Sequence, residues 1–295
     1  MGAKYALMLG CLIPTRLPQI EAACRNVFPL LGVEFDDSFD FSCCPNTPYI
    51  KPLDKEAWLT LAARNLSLVE EAGLTIATPC PGCSNTLLEA KHDLDHDKDL
   101  RARINERLKS IDKEYKGKAK VKHLLQVLVE DVGIKKVESI VKTPVKLKIA
   151  AHYGCHLLKP SKVMGFEDPF TAHSLEDLTR AVGGEPVEYE NRELCCGLVL
   201  GSTNQDGSLD LAHRKFSSVM AAGGEAMVVT CPTCFLQFDT GQMRTAKKYN
   251  ASYNIPVLYF SQLIGLAAGL TEKDLGLNAH RTKTTAVMNA VKASL

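Results

Sequence analysis

Ten of the eleven cysteines in this 295-residue chain fall into one pattern written twice. The first copy reads C-x31-C-C-x35-C-x-x-C, from Cys11 through the vicinal pair Cys43 and Cys44 to Cys80 and Cys83. The second reads C-x39-C-C-x34-C-x-x-C, from Cys155 through Cys195 and Cys196 to Cys231 and Cys234. A chain that repeats such a pattern must fold as two copies of one supersecondary unit. Only Cys24 stands outside, on the apolar side of a predicted helix, where a buried structural thiol is expected.

The stretches between the cysteines repeat as well. Tyr5–Leu9, Val33–Asp37, Leu74–Thr78 and Val121–Leu124 read as short apolar strands, each but the last running toward a cysteine group. Val145–Ala151, Val187–Glu190, Met227–Thr230 and Ile255–Phe260 follow in the same order. Helices fill the gaps. Thr15 is the expected cap of the first, with Ile20, Val27, Phe28 and Leu31 inward. Asp54 caps the next, with Trp58, Leu61, Leu68 and Ala72 on its apolar face. Leu125–Val132 and Ser261–Ala268 are expected as matching helices. In the second half Ser174 and Asp177 read as a capping box, and Leu209, Ala212, Phe216 and Val219 line a helix. The charged segment from Asp93 to Lys120 reads as a solvated helix plus linker. Strands alternating with helices imply parallel sheets with right-handed crossovers. The expected fold is therefore α/β: two internally repeated Rossmann-like units, each a mainly parallel sheet of about four strands with flanking helices. Pro144 marks the boundary, which gives domains at 1–144 and 145–295. Ligands of such sheets gather beyond the C-terminal strand ends, where every cysteine group falls.

A net charge of +1 gives no electrostatic case for nucleic acid. No apolar run approaches the ~18 residues that a membrane span needs. The opening MGAKYALMLGC has no long apolar core or cleavage site, so a cytoplasmic location is expected. In a reducing compartment, metal binding or redox chemistry is the better reading of so many cysteines. A thioredoxin-like dithiol would account for Cys80 and Cys83 at a strand–helix junction but not for the other thiols. Zinc takes four ligands, one fewer than each set offers. An iron–sulfur centre suits soft thiolates, and a fifth thiolate suggests a larger or irregular cluster.

Two copies of this motif, the second with Cys195-Cys196-Gly197, resemble the tandem CCG cysteine-rich domains over nearly the whole chain. Among them the pattern is most similar to the heterodisulfide reductase B-subunit family of methanogenic archaea. That resemblance implies two noncubane 4Fe–4S clusters. Cys11, Cys43, Cys44, Cys80 and Cys83 would hold one, and Cys155, Cys195, Cys196, Cys231 and Cys234 the other. It implies reduction of the coenzyme M–coenzyme B disulfide in two one-electron steps, with the two cysteine-rich edges facing each other across the substrate. Relatives with such domains serve as electron-transfer subunits of glycolate oxidase, glycerol-3-phosphate dehydrogenase and fumarate reductase, which is the alternative role. One departure is Pro45, which follows the first vicinal pair where the motif has Gly. The chain carries no C-x-x-C-x-x-C-x-x-x-C-P run and no G-x-G-x-x-G motif, so no flavin is expected in it. The resemblance accordingly implies a ferredoxin-like iron–sulfur C subunit and a flavoprotein A subunit as partners, fed by a hydrogenase or formate dehydrogenase.

Of the histidines flanking Cys155, His156 is the expected proton or hydrogen-bond donor to a departing thiolate, ahead of His152. Lys159 and Arg192 are the candidate partners of an anionic group on the substrate. His92, His96 and His123 read as structural or exposed.

Overall fold

Short β-branched and apolar runs, buried on both faces, need parallel neighbours and helical cover. In the computed structural model, which describes residues 4–294, they find both. Strands β1 (Tyr5–Leu7), β2 (Phe35–Asp36), β3 (Thr75–Thr78) and β4 (Lys120–His123) pair in the order β2-β1-β3-β4. Strands β5 (Lys148–His152), β6 (Glu185–Pro186), β7 (Ala226–Val229) and β8 (Val257–Tyr259) repeat that order as β6-β5-β7-β8. Every pairing is parallel, with Tyr5 opposite Thr75 in one sheet and Ile149 opposite Ala226 in the other. The crossovers include α1 (Pro18–Val27), α2 (Lys55–Glu70), α3 (Pro81–His96), α4 (Lys98–Leu108), α5 (Gln205–Ala221) and α6 (Pro232–Asp239), and α7 (Phe260–Ala267) follows the last strand.

Asp54 caps α2 as expected, its Oδ1 accepting from the Ala57 N–H at 2.9 Å. The apolar face of α2 is turned from the expected one. Trp58, Leu59, Ala62, Leu66 and Val69 are buried, whereas Leu61 and Ala72 are exposed. Trp58 is common to both readings, and the buried face packs in one cluster with Ile76 of β3 and Leu87 and Ala90 of α3. Thr15 is not a cap: it lies inside a short helix, Leu12–Arg16, and its hydroxyl donates back to the Cys11 carbonyl at 2.6 Å. Pro18 opens α1 instead. The Ser174 capping box is absent too. The Glu167 carboxylate accepts from the N–H groups of His173 and Ser174, and Asp177 pairs with His173 and Arg180.

The charged segment is more than a solvated linker. Leu100, Ile104 and Leu108 of α4, and Tyr115 beyond it, are buried against α2 and α3. Four apolar residues, three of them at four-residue steps, suffice to hold a helix whose remaining faces are charged. The second-half edge strand is Glu185–Pro186 rather than Val187–Glu190, although the Val187 N–H still donates to the Ile149 carbonyl at 3.0 Å. The expected helix Leu125–Val132 begins as α-helix and continues as a π-turn over Val127–Val132.

The first sheet takes its strands from before residue 124 and the second from after residue 147, but the apolar core is not so divided. One buried cluster runs from Ile13, Ile20 and Val27 of the first repeat through Leu263, Ile264 and Leu266 of the second. α7 packs along α1, and the small residue Gly265 lets Val27 approach: a Cβ there would meet the Val27 methyl at 3.1 Å. The two sheets therefore keep a defined relation, with their C-terminal strand ends brought to one seam.

Candidate metal centres

Each C-x-x-C sits where a strand hands over to a helix. Cys80 and Cys231 are extended residues at the N-cap positions of α3 and α6, and Pro81 and Pro232 occupy the first helical turn. Cys11 and Cys155 follow β1 and β5 and lie close by because the residue before each is glycine. Gly10 (φ +72°) and Gly154 (φ +77°) have left-handed backbones, and a Cβ on them would lie 2.6 Å from Cys83 Sγ and 3.1 Å from Cys231 Cβ. The vicinal pairs arrive from the β2 and β6 edges.

The thiols of each set share the same order of neighbours: Cys11, Cys43, Cys44, Cys83 and Cys80 in one, Cys155, Cys195, Cys196, Cys234 and Cys231 in the other. All are free. The first single cysteine and the first of the vicinal pair are exposed in both sets, and the second of the pair and the last of the C-x-x-C are buried. Each set thus has a closed inner side and an open outer side. Hydrogen bonding holds Cys44 low through Cys43 in the first set, and Cys195 through Cys155 and Cys231 through Cys234 in the second, so an anionic sulfur is available in both. The donor sets fit a polynuclear iron–sulfur group: they are all thiol and five-membered, and the sulfurs of each are mutual neighbours. Among the described residues no group of three or more His, Cys, Asp or Glu has the geometry of a single-ion site.

The repeats meet at the loops that carry the C-x-x-C pairs. His123 ends β4 and Tyr259 ends β8, at equivalent positions. The Tyr259 hydroxyl donates to the Pro79 and Thr230 carbonyls, one residue before Cys80 and Cys231. His123 Nε2–H donates to the Thr230 carbonyl at 3.2 Å, while its Nδ1 accepts from the Leu125 N–H at 3.0 Å. Both nitrogens are committed in the neutral ring, and burial pushes the imidazole down to about 4. Since the folded value lies below that of the unfolded chain, stability is lost as pH falls from about 6.5 through 4, by roughly 3 kcal/mol for this group. Urea unfolding at pH 6.5 and 4 should show wild type losing about that much more stability than His123→Gln. Equal losses would refute this role.

A cavity of about 560 Å³ lies in the seam. All five cysteines of the second set border it, and Asn46, Pro48 and Tyr49, just after the first vicinal pair, form the facing wall. His156 also lines it and bonds across the seam through Nδ1 to Asn85 Oδ1 at 2.8 Å. Burial lowers its pKa. Lys159 is exposed, its ammonium 5.5 Å from the Phe170 ring centre. Arg192 is 2.9 Å from both Glu176 and Glu193 and bonds the Phe170 and Ala172 carbonyls, so its donors are engaged within the protein. Lys159, Arg192 and Cys155 border a separate cleft of about 30 Å³. His92 and His96 are exposed and stacked on each other.

Four residues near the thiols were missed by the sequence reading or ranked low. They are Asn85, Tyr259, His152 (Nε2 is 3.3 Å from Cys234 Sγ) and the buried Lys215. Aligning the repeats on Cys11 and Cys155 would have shown His152 standing opposite Met8, and aligning them on Gly73 and Gly223 would have shown Lys215 opposite Asn65. Nothing local marks Asn85 or Tyr259.

The cysteine-rich domain model of the CCG family matches residues 5–88 and 149–239. The B subunit of the ferredoxin/F420H2-dependent CoB-CoM heterodisulfide reductase of Methanosarcina acetivorans is 40% identical over 93% of this chain and 92% of its own. The 8-methylmenaquinol:fumarate reductase membrane anchor subunit of Wolinella succinogenes is 32% identical over 94% of this chain and 96% of its own. In fold, the chain resembles a hypothetical protein from Helicobacter pylori, with a TM-score of 0.75 at 18% identity over 96% of this chain and 53% of that one.

Proposed function

The chain belongs to the CCG cysteine-rich domain family, and from that premise we propose that it is the iron–sulfur subunit of a disulfide oxidoreductase that reduces the coenzyme M–coenzyme B heterodisulfide. The observation that carries this reading is the seam cavity, which opens onto one complete thiol set and is walled by the segment following the other vicinal pair. Each set is proposed to hold a noncubane 4Fe–4S cluster: Cys11, Cys43, Cys44, Cys80 and Cys83 the first, Cys155, Cys195, Cys196, Cys231 and Cys234 the second. Bound there, such a group supplies single electrons and an iron with affinity for sulfur.

The chain's own residues do the rest. Pro48, Tyr49 and Leu200 give the cavity an apolar wall against which the carbon chains of a substrate can pack. Asn85 Oδ1 accepts from Nδ1–H and so fixes the His156 ring, which leaves Nε2 to take up a proton from solvent and pass it to a released thiolate. Two electrons and two protons convert one disulfide into two thiols, so a proton donor at the cavity is required. Lys159 is the exposed cation available to a substrate anion, and Arg192, held by two carboxylates, orders the 170–176 segment beside it. The reading includes a ferredoxin-like iron–sulfur C subunit and a flavoprotein A subunit as electron suppliers, with a hydrogenase or formate dehydrogenase behind them, in the cytoplasm. No helix among the described residues is long and apolar enough to cross a membrane.

The equally long match to a quinol:fumarate reductase subunit favours one other reading, an electron-transfer subunit that never meets a disulfide. Anaerobically purified protein should contain about eight irons per chain. Reduced by a viologen, it should release thiols from the heterodisulfide and change its paramagnetic signals on adding that substrate. Stoichiometric zinc, or reduced iron–sulfur protein that leaves the heterodisulfide intact, would overturn the proposal.

A further inference from the structure

The two thiol sets match in number and order, and in exposure at all positions but Cys80 and Cys231, but their buried surroundings do not match in charge. Counting back from Gly10-Cys11 and Gly154-Cys155 places Met8 opposite His152. Counting back from Gly73 and Gly223, the left-handed residues after α2 and α5, places Asn65 opposite Lys215. All four side chains are buried.

Asn65 and Lys215 do the same mechanical work, since each ties down the chain leading into its vicinal pair. Asn65 accepts from the Ser42 N–H at 2.9 Å and donates to the Ser42 carbonyl at 3.3 Å. Lys215 donates to the Asn191 and Arg192 carbonyls, the latter at 2.8 Å. A neutral amide suffices for that task, so the ammonium in the second repeat is surplus to it. Burying it without a partner is costly. Among the described residues no carboxylate lies within ion-pair distance of Lys215. The ionisable groups whose charge acts on it are Cys234, Glu193, Cys196 and Cys195, its ammonium lies 5.3 Å from the Tyr189 ring centre, and burial brings its pKa down to about 8. Three of those four groups are thiols of the second set, so ligand thiolates there would be its main counter-charge. His152 adds a neutral donor. Its Nδ1 has no hydrogen-bond partner, so the proton belongs on Nε2, 3.3 Å from Cys234 Sγ. Phe238 meets the ring edge to face at 4.9 Å and fixes its orientation. Met8 offers the first set neither charge nor N–H.

We propose that Lys215 and His152 are positioning residues that raise the reduction potential of the centre held by the second repeat above that of the first. This rests on the iron–sulfur reading of the two sites. One-electron reduction adds one negative charge to a centre, and a fixed cation and an N–H aimed at its sulfur stabilise the more negative state. An electron given up by a reduced iron–sulfur donor protein, itself oxidised by one, then comes to rest in the second repeat. That is the repeat whose thiols border the cavity.

The test is a dye-mediated redox titration of the anaerobic, full-length, iron-loaded protein, followed by paramagnetic resonance and visible absorbance. Wild type should show two separable one-electron reductions. Lys215→Met should weaken the higher-potential one by at least about tenfold in its equilibrium constant, ~59 mV, and leave the other unmoved. Lys215→Arg should restore it, and His152→Met should lower the same potential by less. Equal shifts in both, or none, would overturn the proposal. Should Lys215→Met fail to fold, the single-centre proteins decide. Cys44→Ala retains the second-repeat centre and Cys196→Ala the first, and a second-repeat potential equal to or below the first overturns the assignment. Iron content on the same samples separates the two ways of failing. A chain without iron overturns the reading of the sites, whereas two intact centres with coincident or reversed potentials overturn this inference alone.

Discussion

Alanine at Cys44 or Cys83 should remove about half of the iron and lower heterodisulfide turnover by roughly a hundredfold or more, and alanine at Cys196 or Cys234 should do the same. Each thiol set closes within its own repeat: no cysteine of one set is a sulfur neighbour of the other in the order observed. Loss of one ligand should therefore spare the centre in the other repeat. The shared apolar core, which runs from α1 into α7, should keep the chain folded around the surviving centre. Turnover should suffer far more than iron content, because two electrons are needed for one disulfide and each centre supplies one at a time. Iron analysis, paramagnetic resonance and turnover with an artificial donor measure all three quantities on one preparation. A single-centre variant with near-normal turnover would exclude the two-centre mechanism. It would make the missing centre a relay or a structural staple.

Gly10→Ala should be nearly as damaging, although it touches no ligand directly. Its backbone has φ +72°, where a Cβ costs about 1–2 kcal/mol. That Cβ would also lie 2.6 Å from Cys83 Sγ, a separation that one of the two must yield. Cys83 is buried and has little room to move, so the sulfur leaves its place in the set and the first-repeat centre is lost. Gly32→Ala is the control. Gly32 has φ +79° with nothing within 4 Å of the added carbon, so it bears the backbone cost alone. Urea unfolding should show a loss of about 1–2 kcal/mol for Gly32→Ala with full iron content, and a larger loss with about half the iron for Gly10→Ala. Retention of both centres in Gly10→Ala would show that the glycine is there for the turn and not for the sulfur.

Much of this protein is readable along the chain because the governing physics is local. A strand that feeds a helix through Cys-Pro needs only neighbouring residues, so β3, β7 and the two C-x-x-C junctions follow from a few positions each. Parallel pairing follows from the alternation of strands and helices, and the duplication follows from the cysteine spacing. Errors arose where a local signal had a rival that only packing decides. Thr15 and Ser174 carry cap chemistry, but Pro18 and the Glu167 carboxylate supply the actual helix starts. The charge density of α4 hides an apolar stripe that matters only once α2 and α3 lie beneath it. The turn of α2 about its axis depends on how it packs against β3 and α3.

The sequence by itself determined the two thiol sets, their place at strand ends and the α/β class, because spacing and periodicity are properties of consecutive residues. Only the tertiary structure decided that the sets share a seam. Tyr259 reaches Pro79 across 180 positions, His123 reaches Thr230 across 107, and His156 reaches Asn85 across 71. It also decided the charge at the second set. Lys215 reads as an ordinary helix-surface lysine until the segment before Cys195 closes over it, and burial then makes its charge act on the nearby sulfurs. The physical reason is common to both: hydrogen bonds and desolvation depend on which surfaces meet, and no run of neighbouring residues encodes that meeting.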